Sequence, residues 1–185
     1  MKKNFKIEKD GKIYWISRSI AVHVAILCVD FTETTDDVWV LLEKRGPGCP
    51  DEVGKWADPT GYIDFDEGLI DAAYREVYEE LGLDLRKIDH TIHPMFSGFF
   101  RNLDFKNTGK CNVTVRLKAI VNYNTIKRLL DNGTINTDTK SRGGEEGEVS
   151  EIKLLKLSNL DVPLREEDFA FGHEKLLNEF VKIWL

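Results

Sequence analysis

Glu76, Glu79 and Glu80 fall within five residues of one another, and Asp64, Asp66, Glu67 and Asp71 stand just upstream. Arg75 is the lone cation between residues 61 and 83. Side chains three and four apart on a helix are neighbours, and like charges at that spacing cost about 0.2–0.5 kcal/mol per pair. A sequence that carries such repulsion either spreads it into water, as charge runs usually do, or neutralises it. Hard divalent cations such as Mg²⁺ take oxygen ligands, so clustered carboxylates of this kind suit one of them.

The acids need a rigid element to hold them together. Leu69, Ala72, Ala73, Val77 and Leu81 recur at three- and four-residue spacing, which predicts an amphipathic helix from Glu67 to Leu81. Asp66 is placed to cap its start, and Gly82 stands where helices stop. Upstream, SIAVHVAILCVDF barely alternates and reads as a strand buried on both faces, followed by a second strand from Asp37. GPGCPDEVGK is a loop on composition, and KWADPTGYID is a bent extended piece. Downstream lie two strands joined across KNTGK, a short helix NTIKRLLDN with Asn124 as its cap, the polar loop 131–148 and a further strand VSEIKLLKL. The pattern predicts α/β architecture, with helices packed on a mixed sheet. It reads as one domain over residues 1–185, with a short hairpin at 4–17 and a closing helix at about 172–184.

Bulk properties narrow the function. A net charge of −6 argues against nucleic acid or an anionic membrane as the main partner. The longest apolar run, residues 20–29, is too short to span a bilayer. The polar N-terminus carries no apolar signal core, so a cytoplasmic location is expected. Cys28, Cys49 and Cys111 have no metal or disulfide spacing and read as inert thiols. His173, in FAFGHEKLL, reads as a helix-start histidine satisfied by nearby backbone.

The stretch GYIDFDEGLIDAAYREVYEELGL fits the pattern G-x5-E-x7-R-E-U-x-E-E-x-G-U at Gly61, Glu67, Arg75, Glu76, Val77, Glu79, Glu80, Gly82 and Leu83 (U is aliphatic). Chance would produce this in a chain of this size at roughly one in a million or below. The chain thereby resembles the Nudix hydrolase superfamily. The resemblance implies an α/β/α sandwich with a mixed sheet. It also implies Mg²⁺- or Mn²⁺-dependent hydrolysis of a nucleoside diphosphate linked to another moiety. Glu79 and Glu80 would then be core metal ligands, joined by Glu76, as ligand or base, and by the carbonyl of Thr60.

Arg75 and Glu67 look like an ion pair that holds loop to helix, with Arg75 supporting the chemistry. Gly61 is expected to let the backbone turn sharply. The family often adds a carboxylate from the loop before a late strand; Glu148 is the choice here, with Glu145 and Glu146 as competitors. Arg45 and Arg18 are candidates to receive phosphates. Where the family usually has Pro-Gly-Gly, this chain has Pro59-Thr60-Gly61, and a left-handed backbone at Thr60 would be strained.

The expected substrate is a nucleoside triphosphate or modified nucleotide. ADP-ribose or a nucleotide sugar is the alternative, and a non-catalytic nucleotide sensor on the same fold is a second. Pairing into a homodimer is a further expectation from the resemblance.

Overall fold

A computed structural model describes residues 5–16, 20–32, 37–102, 112–157 and 164–184. Along the chain run β1 (Phe5–Lys9), β2 (Lys12–Ile16), β3 (Ile20–Val29), β4 (Val38–Arg45), β5 (Trp56–Ala57), β6 (Thr60–Tyr62), α1 (Leu69–Leu81), β7 (His90–Asn102), β8 (Asn112–Asn122), α2 (Tyr123–Asp131), β9 (Val149–Lys156) and α3 (His173–Trp184). The sheet order is β5-β4-β3-β8-β7, with β6 added to β3 and β9 to β4. β3 and β8 are parallel, whereas the other pairs of this sheet are antiparallel.

β3 explains the layering. Its residues 21 to 28 are all buried, because both faces of the strand are covered. Val22, Val24, Ile26 and Cys28 face one way and pack with Ala72, Ala73, Val77 and Leu81 of α1 and Ile126 of α2. Leu27 faces the other way and joins Val40 and Leu42 of β4 and Leu177 and Phe180 of α3. The result is an α/β/α sandwich on a mixed sheet.

Several local expectations shift. α1 begins at Leu69 rather than Glu67, and its N-cap is Gly68, with no side-chain cap from Asp66. Glu67 lies ahead of the helix because its carboxylate is committed elsewhere, to Arg75 and to the Asp64 N–H. Gly82 ends the helix in the left-handed region, φ 74°, its N–H donating to the Tyr78 carbonyl. α2 is capped by Asn122, which accepts from the Thr125 N–H, while Asn124 donates to Asp30. The loop 132–148 is packed: Thr139 is buried, and Arg142 donates to the Glu79 and Glu80 carbonyls at 3.2 and 3.3 Å, closing the open end of α1.

Among the described residues β1 and β2 pair only with each other, around Asp10 and Gly11 at φ 55° and 68°, the signature of a type I′ turn. Cys28 and Cys49 are buried, and burial pushes both thiols up. Cys111, Arg18 and the turn KNTGK lie outside the described residues. Among those described, no helix is long and apolar enough to cross a membrane.

Leu81 sits fully buried in the face that holds α1 to the sheet. Leu81→Ala should lower the unfolding free energy by about 2–5 kcal/mol. Ile70→Ala, at a position 39% exposed, should change it by no more than about 0.5 kcal/mol. Urea denaturation of both variants checks the layering.

Candidate active site

Arg75 organises the first half of the site. Its Nε and Nη2 grip both oxygens of Glu67 at 2.8 and 2.9 Å. Nη1 donates to Glu76 at 2.7 Å and to Glu79 at 3.1 Å, and Nη2 also reaches the Tyr62 carbonyl at 2.9 Å. One guanidinium thus ties the loop before α1 to two acids on α1. Burial opposes its charge, but the bonds and charge of Glu67 and Glu76 outweigh that and hold it above the usual arginine range.

The acids behind it are buried. Glu80 is 1% exposed and accepts from the Thr60 N–H at 3.0 Å; Glu76 is 7% exposed. Glu43, absent from the sequence reading, completes the group. It stands near the end of β4, fully buried, with no N–H or hydroxyl donor on either carboxylate oxygen. Glu80 and Glu148 both act on it. Ionised carboxylates only accept, so Glu43 and Glu80 can bond each other only through a shared proton. A signal existed in the sequence: Leu41 faces α1, so Glu43, two residues on, interrupts an apolar face.

Burial, then the charge of Glu148, pushes Glu43 up to about 8. Burial likewise lifts Glu76 to about 8, with Glu79 adding to the shift and Arg75 opposing it. Glu80 is held well above the usual carboxylate range by burial and then by Glu43. Glu148 is raised chiefly by burial.

Two glycine contacts shape the acidic cluster. Gly61 does not adopt a positive φ, so its role is space rather than a sharp turn: a Cβ there would overlap the Glu76 carboxylate. Thr60 also avoids the left-handed region and sits in β6 without strain, its hydroxyl donating to the Val22 carbonyl at 2.9 Å. Gly46 lies where a Cβ would overlap the Gly147 carbonyl, and its N–H donates to the Glu148 carbonyl at 2.6 Å. That contact sets Glu148 beside the other acids. Glu146 instead pairs with Lys140 at 2.5 Å, and Glu145 is exposed.

Arg45 has partners of its own. It donates to the carbonyl and carboxylate of Asp51, both at 3.1 Å, and its guanidinium lies 4.8 Å from the Phe171 ring centroid. This leaves a phosphate-receiving role to an arginine already engaged. Arg18 lies outside the described residues.

On the opposite face of β3 sits a second polar cluster. His23 Nε2 lies 2.9 Å from Asp58 Oδ2, and the Asp58 N–H donates to His173 Nδ1 at 3.1 Å. Burial, and then Arg116, lowers His23 to about 3, while burial raises Asp58 to about 7. His173 is held well below its usual value by burial and then by His23.

The NUDIX domain family model matches residues 21–180. The chain belongs to the Nudix family. A curated Nudix relative, the m7GpppN-mRNA hydrolase NUDT17 of Danio rerio, is 34% identical over 70 residues, which are 38% of this chain. The chain spans about a fifth of that relative's length, 22%. Among solved structures, the dihydroneopterin triphosphate pyrophosphohydrolase of E. coli superposes with a TM-score of 0.54 at 18% identity, over 90% of this chain and 97% of that one. The NUDIX domain of Shewanella oneidensis NrtR, solved with ADP ribose, superposes at 0.52 and 19% identity, over 90% and 88%. These likenesses show that the Nudix fold is shared.

Two outcomes follow from the geometry. Gly61→Ala should displace the Glu76 carboxylate and cost about 1–3 kcal/mol, with a weaker thermal shift on adding Mn²⁺. Differential scanning fluorimetry reads both effects. Acids raised in the folded state bind extra protons there, so stability falls as pH rises from the unfolded carboxylate value toward about 8. In chelator-treated protein the melting temperature should therefore drop between pH 5 and pH 8, and Mg²⁺ should restore it most at the upper end.

Proposed function

We propose that the chain hydrolyses the pyrophosphate bond of a nucleoside diphosphate joined to a second moiety, aided by Mg²⁺ or Mn²⁺. The observation that carries this reading is the Glu43 carboxylate, fully buried, with no N–H or hydroxyl donor on either oxygen, and facing other acids, with Glu80 near enough to share a proton. A buried group of hard oxygen donors with unspent acceptor capacity fits a divalent cation. Glu43, Glu79, Glu80 and Glu148 would hold it, with the Thr60 carbonyl at the edge and Glu76 beside them as the base.

When bound, such an ion screens phosphate charge and lowers the pKa of a ligated water. The chain's own residues position the rest, since phosphoryl transfer is mainly a matter of placement and electrostatics. Glu76, oriented by the Arg75 guanidinium at 2.7 Å, would take the proton of the attacking water. Arg75 orients carboxylates and touches no substrate. Glu148 brings a further acid from the loop side.

The substrate we favour is a nucleoside triphosphate or a modified nucleotide, in keeping with the triphosphate named for the E. coli structure that shares this fold. ADP-ribose, named for the NrtR complex, and a capped RNA end, named for the zebrafish relative, are the competing arms of the test. The full set of carboxylates argues against a sensor that has lost catalysis.

The decisive assay is product release across that panel with Mg²⁺ or Mn²⁺, using wild type, Glu43→Gln and Glu80→Gln. Each variant should lose roughly 10²–10³-fold in turnover, the scale seen when a transition-state charge loses a stabilising group. Each should fold at least as stably in chelator, because one buried repulsion is gone. Equal turnover in all three proteins would remove these acids from the mechanism.

A further inference from the structure

The bend between β5 and β6 is held by side chains rather than by a ladder. Trp56 and Ala57 pair with β4, and Thr60 to Tyr62 pair with β3. Asp58 and Pro59 lie between the two strands, and Pro59 has no N–H to give. The Asp58 N–H is buried, where a donor without a partner costs about 1–3 kcal/mol. His173 supplies the partner: its Nδ1 accepts that N–H at 3.1 Å, from 115 residues away in the chain. The backbone that satisfies this histidine is remote in sequence, not adjacent to it.

The same short segment touches the acids on its other side. The Thr60 N–H donates to Glu80 at 3.0 Å, and among the described residues it is the one N–H that this carboxylate accepts. Gly61 lies against the Glu76 carboxylate with no room for a Cβ. β6 is only three residues long, so its place depends on what anchors its leading end. His23 frames that anchor: Nε2 stands 2.9 Å from Asp58 Oδ2, and its ring lies 4.2 Å from that of His173, tilted by 58°. Apolar residues would fill this volume at lower cost, since His23 Nδ1 and Asp58 Oδ1 are buried without a partner. A polar cluster adds direction, because a hydrogen bond fixes where the Asp58 N–H must point.

We propose that His173 is a positioning residue for the acidic cluster: by accepting the Asp58 N–H it fixes the bend, and through the bend the donor to Glu80 and the wall beside Glu76. This rests on the reading that the acidic cluster takes a divalent cation. His173 touches neither ion nor substrate in this role. It acts from the opposite face of the sheet, as partners that orient a ligand do. Local spacing could not reveal the link, because it runs from α3 to α1 through a segment that belongs to neither.

The test compares His173→Asn with His173→Gln in the whole chain. An asparagine oxygen stands as many bonds from Cα as the Nδ1 it replaces; the glutamine oxygen stands one bond further out. Mn²⁺ affinity is read from the free-ion signal in electron paramagnetic resonance, and folding from the melting temperature in chelator. The Gln variant should fold, bind Mn²⁺ about 10-fold more weakly and lose turnover, with KM for substrate unchanged. The Asn variant should recover most of both. Wild-type affinity in the Gln variant, or equal loss in both variants, overturns the role of His173 and leaves the proposed function standing. Wild type that binds no Mn²⁺ overturns both together. Should the Gln variant fail to fold, hydrogen exchange on wild type decides. Coupling is reciprocal, so Mg²⁺ should slow exchange of the Asp58 amide about 10-fold; an unchanged rate overturns the inference.

Discussion

Gathering carboxylates out of water is the constraint around which this molecule is built. Two like charges 4 Å apart repel by about 4 kcal/mol at the effective dielectric typical of proteins. Glu43, Glu76, Glu80 and Glu148 act on one another across the α1 face of the sheet, and each is raised by burial. A fold can sustain this in three ways: a fixed cation, retained protons, or a bound ion. Arg75 supplies the first for Glu67, Glu76 and Glu79. Glu43 and Glu80 lie beyond its hydrogen bonds and depend on the other two.

The sheet keeps this acidic centre apart from the imidazole cluster. Along β3, Val22 and Val24 face α1 while His23 between them faces the α3 layer. Residues 58 to 60 serve both sides: the side chain and N–H of Asp58 engage the histidines, and the N–H of Thr60 engages Glu80. Pro59 is anchored between them, its carbonyl accepting from Val24 at 2.9 Å. A short extended segment is therefore held through main-chain and side-chain bonds on two faces.

Much of this was legible in the chain. The apolar stripe of α1, the unbroken burial of β3 and the ending at Gly82 follow from period and local chemistry, whereas the pairing of Arg75 with Glu67 came from the family resemblance. What escaped depends on distance along the sequence. Glu43 looks like an ordinary strand-end acid until α1 folds over it. The start of α1 moved because Glu67 bonds a residue eight places on, which a capping rule does not weigh. Gly61 was assigned a turn, but the demand on it comes from the volume of the Glu76 carboxylate. Thr60 escaped strain because the segment is extended, so a Cβ there is harmless.

Arg142 reaches across more than sixty residues to the last carbonyls of α1, while the neighbouring Gly143 lies against Glu79. The polar segment is thus coupled to the backbone that carries the acids. Its length is consequently fixed by geometry rather than left free to drift: inserting residues between Asn136 and Gly143 would uncouple the two, and the helix end would fray beneath the groups that most need a firm support.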